Sequence, residues 1–329
     1  MTYSTRPEGP VISVIIPCFN YSQYIPQALK SLQAQTLKAW ECWVIDDGST
    51  DLTADIVKNI ASHDERIRYI YQKNQGQAAA RNTGLQYARG NYIQFLDADD
   101  LLQPMKLDIQ SKFLDEHAEV NIVYGNVRYF TDSHPQELFL SRWDKSTDDW
   151  MPKISGKSLT IIQAYIKQNI FELGCALFRS EVIRQVGTFN VALQGVEDYD
   201  FCFRCAMAGL GFAYLEKSGS WCLMRHHTSS FSKNLFHMYR KELMMRDGMM
   251  QSLKQNCSRD LVDQNRKEFN FRLKKLQNLM IDDTIKGRKN YVGLNDMKWM
   301  YSHSSAKQNL YFFPRILKAY FTSSLLNNH

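Results

Sequence analysis

Val11-Ile12-Ser13-Val14-Ile15-Ile16 is a nearly continuous β-branched, apolar run. A strand of this kind is buried on both faces, as strands in parallel sheets are. Working outward, Ile25, Ala28, Leu29 and Leu32 recur at the spacing of one helix face, with Asn20 as a candidate cap. Trp40–Ile45 reads as a second strand, and Ile56, Val57 and Ile60 mark a second helix. Ile67–Tyr71, Gln75–Ala88 and Tyr92–Leu96 continue as strand, helix and strand. This alternation predicts right-handed crossovers and an α/β fold: a Rossmann-like, mostly parallel twisted sheet flanked by helices.

The rest of the chain is less regular. Asn121–Val127 and Ala176–Phe178 predict strands, and Leu159–Gln168 and Tyr199–Ala208 predict helices. Residues 131–158 are polar and hold Pro135, Pro152 and Gly156, which predicts a long loop. Phe236–Thr284 is helical in pattern, basic, and rich in Met and Leu, so its Met and aromatic residues predict helix packing.

At 44% hydrophobic and 22% charged, the 329 residues are ordinary globular composition, which excludes wholesale disorder. The length allows roughly two domains. No stretch approaches the ~18 apolar residues of a membrane-spanning helix. Met1–Pro10 has no apolar core, so no secretory signal is expected there, and the seven cysteines are expected to be reduced thiols of a cytoplasmic protein. Charge is distributed unevenly: residues 230–329 carry 18 Lys and Arg against 8 Asp and Glu, while residues 1–229 carry 22 against 26. A basic C-terminal part suits an anionic lipid surface or an anionic substrate, and with no recognisable nucleic-acid motif no nucleic-acid partner is expected.

Three acidic segments carry chemistry. Asp46-Asp47-Gly48-Ser49-Thr50-Asp51 follows the second strand, where ligands bind in open α/β sheets and a carboxylate can accept from a base N–H or a ribose hydroxyl. The same residues also suit a turn. Asp97-Ala98-Asp99-Asp100 follows the fourth strand. Its hard oxygen ligands suit Mg²⁺ or Mn²⁺ shared with substrate phosphates, since a cation relieves their mutual repulsion. Gly195-Val196-Glu197-Asp198-Tyr199-Asp200 opens a helix. Its carboxylates can complement the helix dipole, or one of them can act as a general base on a hydroxyl.

Five segments occur in order: Val-Ile-Ile-Pro-Cys-Phe-Asn (14–20), Asp-Asp-Gly-Ser-Thr-Asp (46–51), Ala-Arg-Asn-Thr-Gly-Leu (80–85), Phe-Leu-Asp-Ala-Asp-Asp (95–100) and Val-Glu-Asp-Tyr-Asp (196–200). Together they resemble the family 2 inverting glycosyltransferases, over roughly residues 11–232. The resemblance implies the GT-A fold and a nucleotide-diphospho-sugar donor, with UDP-sugars the family habit. It implies that Pro17, Asn20 and Asp47 cradle the nucleotide and that Arg81 and Asn82 line the same pocket. Asp97 would lie near ribose and sugar, Asp99 on the metal, and Asp198 would be the catalytic base with Glu197 beside it. Arg225-His226-His227-Thr228-Ser229-Ser230-Phe231-Ser232 resembles a family segment that closes over the diphosphate, which makes His227 rather than His226 the functional histidine, at both substrate and metal. The implied activity is transfer of a sugar to a hydroxyl of a saccharide or lipid-linked acceptor, in surface polysaccharide or glycolipid synthesis.

On this reading residues 1–232 form the catalytic domain, and residues 233–329 form a helical basic region that meets the acceptor or an anionic membrane surface. The expected location is cytoplasmic, extending to peripheral contact with the inner face of the plasma membrane. Tyr311–Phe321, apolar with interspersed cations, fits either a membrane surface or packing on the catalytic domain. Two other classes stay open: a sugar-nucleotide-binding protein without turnover, and a peripheral membrane scaffold. Cys202-x-x-Cys205 lies inside a predicted helix with no second pair, against a zinc site. Gly156-Lys157-Ser158 lacks the first glycine and the preceding strand of a phosphate loop.

Overall fold

The computed structural model describes residues 11–140, 150–227 and 235–285, together with residues 302, 312, 314 and 315. The chain divides into two compact units, Met1–Ser230 and Phe231–His329.

The first unit begins with β1 (Ile12–Cys18), α1 (Ile25–Gln33), β2 (Trp40–Asp46), α2 (Thr53–Ala61), β3 (Ile67–Tyr71), α3 (Gln77–Tyr87) and β4 (Tyr92–Phe95). Every residue of β1, β2 and β4 is buried, because parallel strands are covered by helices on both faces. α1 buries Ile25, Ala28, Leu29 and Leu32, the apolar face read from the sequence. α3 is different. Its buried residues are Ala78, Ala80, Arg81 and Gly84, so it packs by smallness rather than by an apolar stripe. A Cβ on Gly84 would lie 2.5 Å from Ile15 Cγ2, and this close approach brings the N-terminal turn of α3 to the carboxyl ends of β1 and β4.

The unit continues with β5 (Leu101–Leu102), α4 (Lys106–Glu116), β6 (Ile122–Tyr124), β7 (Val127–Thr131), β8 (His134–Phe139) and α5 (Leu159–Lys167). It closes with β9 (Ala176–Arg179), α6 (Ser180–Val186), α7 (Glu197–Met207), β10 (Phe212–Tyr214) and β11 (Cys222–Arg225). The main sheet has the order β10-β6-β9-β4-β1-β2-β3. It is parallel except at β9, which runs antiparallel to both β4 and β6. A smaller sheet, β5-β11-β7-β8, stands beside it.

Two sequence expectations are corrected here. Asn121–Val127 is not one strand: the chain leaves the main sheet after Tyr124 and enters the smaller one at Val127. Gly125 and Asn126 make the switch, the Gly125 N–H donating to the Cys175 carbonyl and the Asn126 carbonyl accepting from the Cys222 N–H. Residues 131–158 are not all loop, because β8 pairs with β7. Its residues 134–138 are exposed and only Phe139 is half-buried, so no alternation of apolar and polar residues marks it. Residues 141–149 of that stretch lie outside the described residues.

In the second unit, α8 (Leu235–Asn256) and α9 (Arg259–Ile285) are long helices. Leu243, Phe269, Leu273, Leu276, Met280, Ile281 and Phe312 form its core. Phe312 is thus packed with the α8 and α9 side chains, while Pro314 and Arg315 are exposed. The remainder of Tyr311–Phe321 lies outside the described residues. No described helix is long and apolar enough to cross a membrane.

Candidate active site

The loops after β1 and β2 are stitched together. Asn20 holds a left-handed backbone (φ 57°), its N–H donates to Ser49 Oγ at 2.9 Å, and its Oδ1 accepts from the Thr50 N–H at 2.8 Å. Asp51 accepts from Ser22 and Thr53, and these bonds outweigh its partial burial and hold its carboxyl down at about 2. Pro17 lies at the buried end of β1, paired with Ile45 of β2.

Asp47 follows β2 and is buried. Its Oδ1 accepts from Gln72 Nε2 at 2.6 Å and the Gln75 N–H at 2.9 Å, and its Oδ2 accepts from the Gly76 N–H at 2.7 Å. Gly76 needs its glycine: φ is +90°, and a Cβ would meet Gln194 Nε2 at 2.7 Å. One residue on, Gln77 begins α3, and four residues later Arg81 occupies the same helix face. Both reach Asp97, Gln77 Nε2 and Arg81 Nη2 each lying 2.9 Å from Asp97 Oδ1. Arg81 Nη1 also lies 2.7 Å from Glu197 Oε1 at the start of α7. The short segment 75–81 therefore touches all three acidic clusters.

The adjacent carboxylates Glu197 and Asp198 differ. Glu197 is buried and both its oxygens are engaged, Oε1 with Arg81 and Oε2 with the Gly195 N–H at 2.6 Å. Asp198 is half-buried and accepts from the Tyr199 N–H at 2.8 Å. Burial, then the Glu197 charge, push its carboxyl up to about 7, against the opposing pull of Arg81. A carboxyl poised there takes up a proton near neutral pH.

Asp99 and His227 meet, with His227 Nε2 2.8 Å from Asp99 Oδ2. The His227 ring packs 5.0 Å from Tyr24 and edge-on to Tyr21 at 6.4 Å, centroid to centroid. Arg225, at the end of β11, fixes this pair. Its N–H donates to Asp100 Oδ1 at 3.0 Å, its Nε to the Asp99 carbonyl at 2.9 Å, and its guanidinium to Gln27 and Asp132. Burial and the neighbouring Asp99 raise the carboxyl of Asp100 well above the usual range. The rest of the segment likened to the family's closing loop, Thr228–Ser232, lies outside the described residues.

Asn82 is not turned toward these carboxylates. Its Nδ2 donates to the Phe189 carbonyl and its Oδ1 accepts from the Phe189 N–H, both at 2.9 Å, so its amide fixes the stretch leading to α7. Sequence reasoning missed Gln77, Tyr24 and the anchoring reach of Arg225. Only Gln77 carries a signal, its i, i+4 spacing from Arg81. Cys202 and Cys205 are buried in α7, and burial raises both thiols far above the usual range.

The comparisons with known proteins bear on the family and the fold. The family model "Glycosyl transferase family 2" matches residues 13–187. An uncharacterized glycosyltransferase of Haemophilus influenzae is 33% identical over 223 residues, 68% of this chain and 78% of that protein. Rickettsia felis and Rickettsia conorii glycosyltransferases match over 118 residues, so the chain spans only 19% of the length of each. Among solved structures, S. aureus TarS 1-349 in complex with UDP-GlcNAc superposes with a TM-score of 0.61 at 16% identity, covering 95% of this chain and 90% of that one. The mannosyltransferase PcManGT of Pyrobaculum calidifontis, in complex with GDP-Man and Mn²⁺, superposes with a TM-score of 0.59 at 16% identity, covering 99% and 90%. Their fold is the one described here.

Proposed function

The chain belongs to glycosyltransferase family 2, and we propose that it is an enzyme that moves a sugar, with inversion, from a UDP-sugar to an acceptor hydroxyl, using Asp198 as general base. The observation that carries this reading is the convergence of Asp47, Asp97 and Glu197 on residues 75–81, which sets Asp198 at the edge of a polar cluster at the strand ends. In this reading the nucleotide lies along Pro17, Asn20 and Asp47. Asp97 faces the ribose and sugar. Asp198 removes the proton of the acceptor hydroxyl, and the freed oxygen attacks the anomeric carbon on the side opposite the departing nucleotide. A positioned base of this kind contributes about 10²–10⁴-fold.

The donor set fits a divalent cation, Mn²⁺ or Mg²⁺, held by Asp99 and His227. Among the described residues no group of three His, Cys, Asp or Glu side chains gathers. A site with two protein ligands leaves positions for phosphate oxygens and water, as Mg²⁺-type sites do, and the imidazole suits Mn²⁺. When bound, the ion would neutralise charge on the leaving diphosphate. The Mn²⁺ and GDP-Man bound by PcManGT and the UDP-GlcNAc bound by TarS support a metal-assisted, nucleotide-sugar reaction.

We further assign residues 1–232 to catalysis and the basic region 233–329 to a saccharide or lipid-linked acceptor or an anionic membrane surface, on the strength of its excess of cations. The deciding experiment is calorimetry of the full chain against UDP-GlcNAc, other UDP-sugars, GDP-mannose and dTDP-sugars with Mn²⁺. Saturable binding of UDP-sugars above the others supports the donor assignment. Binding of GDP-mannose alone, or of no nucleotide sugar, would overturn it.

A further inference from the structure

Glu197 and Asp198 are neighbours of like charge in the first turn of α7, and nothing in their residue types says which takes a proton. Their surroundings do. The Arg81 guanidinium is buried and meets two carboxylates from different parts of the chain, Glu197 at 2.7 Å and Asp97 at 2.9 Å. It stacks over the Phe189 ring, 5.6 Å from the centroid. Its Nε is buried without a hydrogen-bond partner among the described residues, so the cation is held by those carboxylates and the ring rather than by backbone carbonyls. Gly195 fills the other oxygen of Glu197.

We propose that Arg81 is a positioning residue that divides the roles of the two carboxylates, locking Glu197 into a buried ion pair and leaving Asp198 as the sole proton acceptor. The proposal rests on the assignment of Asp198 as the base. It also moves Arg81 from a pocket-lining contact with nucleotide to a support for the acceptor side of the reaction. Among the described residues, the charged and titratable groups that act most on Asp198 are Glu197 on its own helix, Arg81 from α3 and Glu172 from the segment before β9, with the Cys202 thiol one turn along α7. Asp97 acts on this set through Arg81 and directly on Glu197. Arg81 is the one cation in that group. Removing it leaves Glu197 uncompensated and makes a second negative charge at Asp198 harder to form. Removing the charge of Glu197 does the reverse.

The two substitutions therefore move Asp198 in opposite directions. The test is a carboxyl ¹³C NMR titration of full chain labelled at aspartate, with the Asp198 resonance identified by its absence in Asp198→Asn. Arg81→Gln should move the Asp198 midpoint up by about one pH unit or more, the scale of an adjacent opposite charge. Arg81→Lys should bring it part of the way back. Glu197→Gln, nearly isosteric and still able to accept from Arg81, should move it down. If Arg81→Gln does not fold, the downward shift in Glu197→Gln is the deciding measurement. Midpoints that coincide in wild type and Glu197→Gln overturn the proposal. Release of UDP from UDP-GlcNAc tests the premise separately: loss of turnover in Asp198→Asn keeps the base assignment even where the midpoints fail to move, and wild-type turnover in Asp198→Asn removes it.

Discussion

His227 Nε2 and Asp99 Oδ2 are 2.8 Å apart, although 128 residues separate them in the chain. The loop after β4 and the loop after β11 are thereby joined at a carboxylate–imidazole pair, braced by Arg225. If this pair holds the cation that receives the diphosphate, Asp99→Ala should weaken UDP binding about ten-fold or more in Mn²⁺, the scale seen when metal sites lose support. In EDTA, wild type and variant should bind UDP alike. Calorimetric titration in both buffers decides the point, and an equal loss with and without Mn²⁺ would remove the metal role from Asp99.

The raised Asp198 carboxyl predicts a pH dependence with a definite sign. Burial and Glu197 lift it from 3.8 to about 7. On the proposed assignment of Asp198 as the base, it acts when ionised, so kcat/KM should fall about ten-fold per pH unit below that point and level off above it. Stability should run the opposite way. Between 3.8 and about 7 the folded protein holds a proton that the unfolded chain has released, so this stabilising contribution fades as pH rises through that window. Above about pH 7 the folded protein carries an ionised, half-buried carboxylate. Asp198→Asn removes that cost and should raise stability at pH 8 by on the order of 1–2 kcal/mol, with no gain at pH 3.5. Denaturant unfolding at the two pH values measures this. A variant less stable than wild type at pH 8 would contradict it.

Close packing of α3 on β1 carries the site with it. Gly84→Ala places a methyl 2.5 Å from Ile15 Cγ2 in a fully buried contact. Overpacking of this kind costs about 1–3 kcal/mol. Because Arg81 lies one turn earlier on the same buried helix, the displacement should also loosen its reach to Asp97 and Glu197. Thermal unfolding should show the loss of stability, and UDP release from UDP-GlcNAc should fall beyond what the unfolded fraction explains. Activity lowered only in proportion to folded protein would separate the helix packing from the site.

What could be read from residues follows from how each element is buried. β1, β2 and β4 announce themselves because strands inside a parallel sheet bury apolar side chains, and α1 because it keeps an apolar stripe; β3, at the sheet edge, buries only Ile67 fully. The smaller sheet stays hidden. β5 has two residues, β8 faces solvent, and the run Asn121–Val127 is continuous in pattern while serving two sheets. At the site, the acidic segments were legible as residue types beside strand ends. Their division of labour was not. Glu197 and Asp198 differ because one meets Arg81, 116 residues away, and the other does not, a contact that no local pattern encodes. Asn82 shows the same limit in reverse: it lies beside Arg81 in the motif, yet helix geometry turns it to the Phe189 backbone.

The second unit depends on a buried polar cluster that its apolar pattern conceals. The Arg246 side chain in α8 is fully buried, with Nε and Nη2 each 2.9 Å from Glu242 Oε1. Its Nη1 lies 3.3 Å from Asn265 Oδ1 in α9, and Asn265 Nδ2 donates back to the Arg246 carbonyl at 2.9 Å. Glu242 also accepts from Arg272 of α9 at 3.0 Å. One carboxylate thus serves two cations across the pair of helices. Glu242→Ala removes the carboxylate that Arg246 and Arg272 share, and breaking a buried pair on one side typically costs about 3–5 kcal/mol. Replacing the buried cation as well, as Glu242→Ala with Arg246→Met, removes the buried charge together with its carboxylate and fills its volume with an apolar chain. The double variant should therefore be more stable than Glu242→Ala alone, which calorimetric unfolding of the full chain measures. A double variant less stable than the single one would show that Arg246 is held by Asn265 and packing rather than by the charge of Glu242.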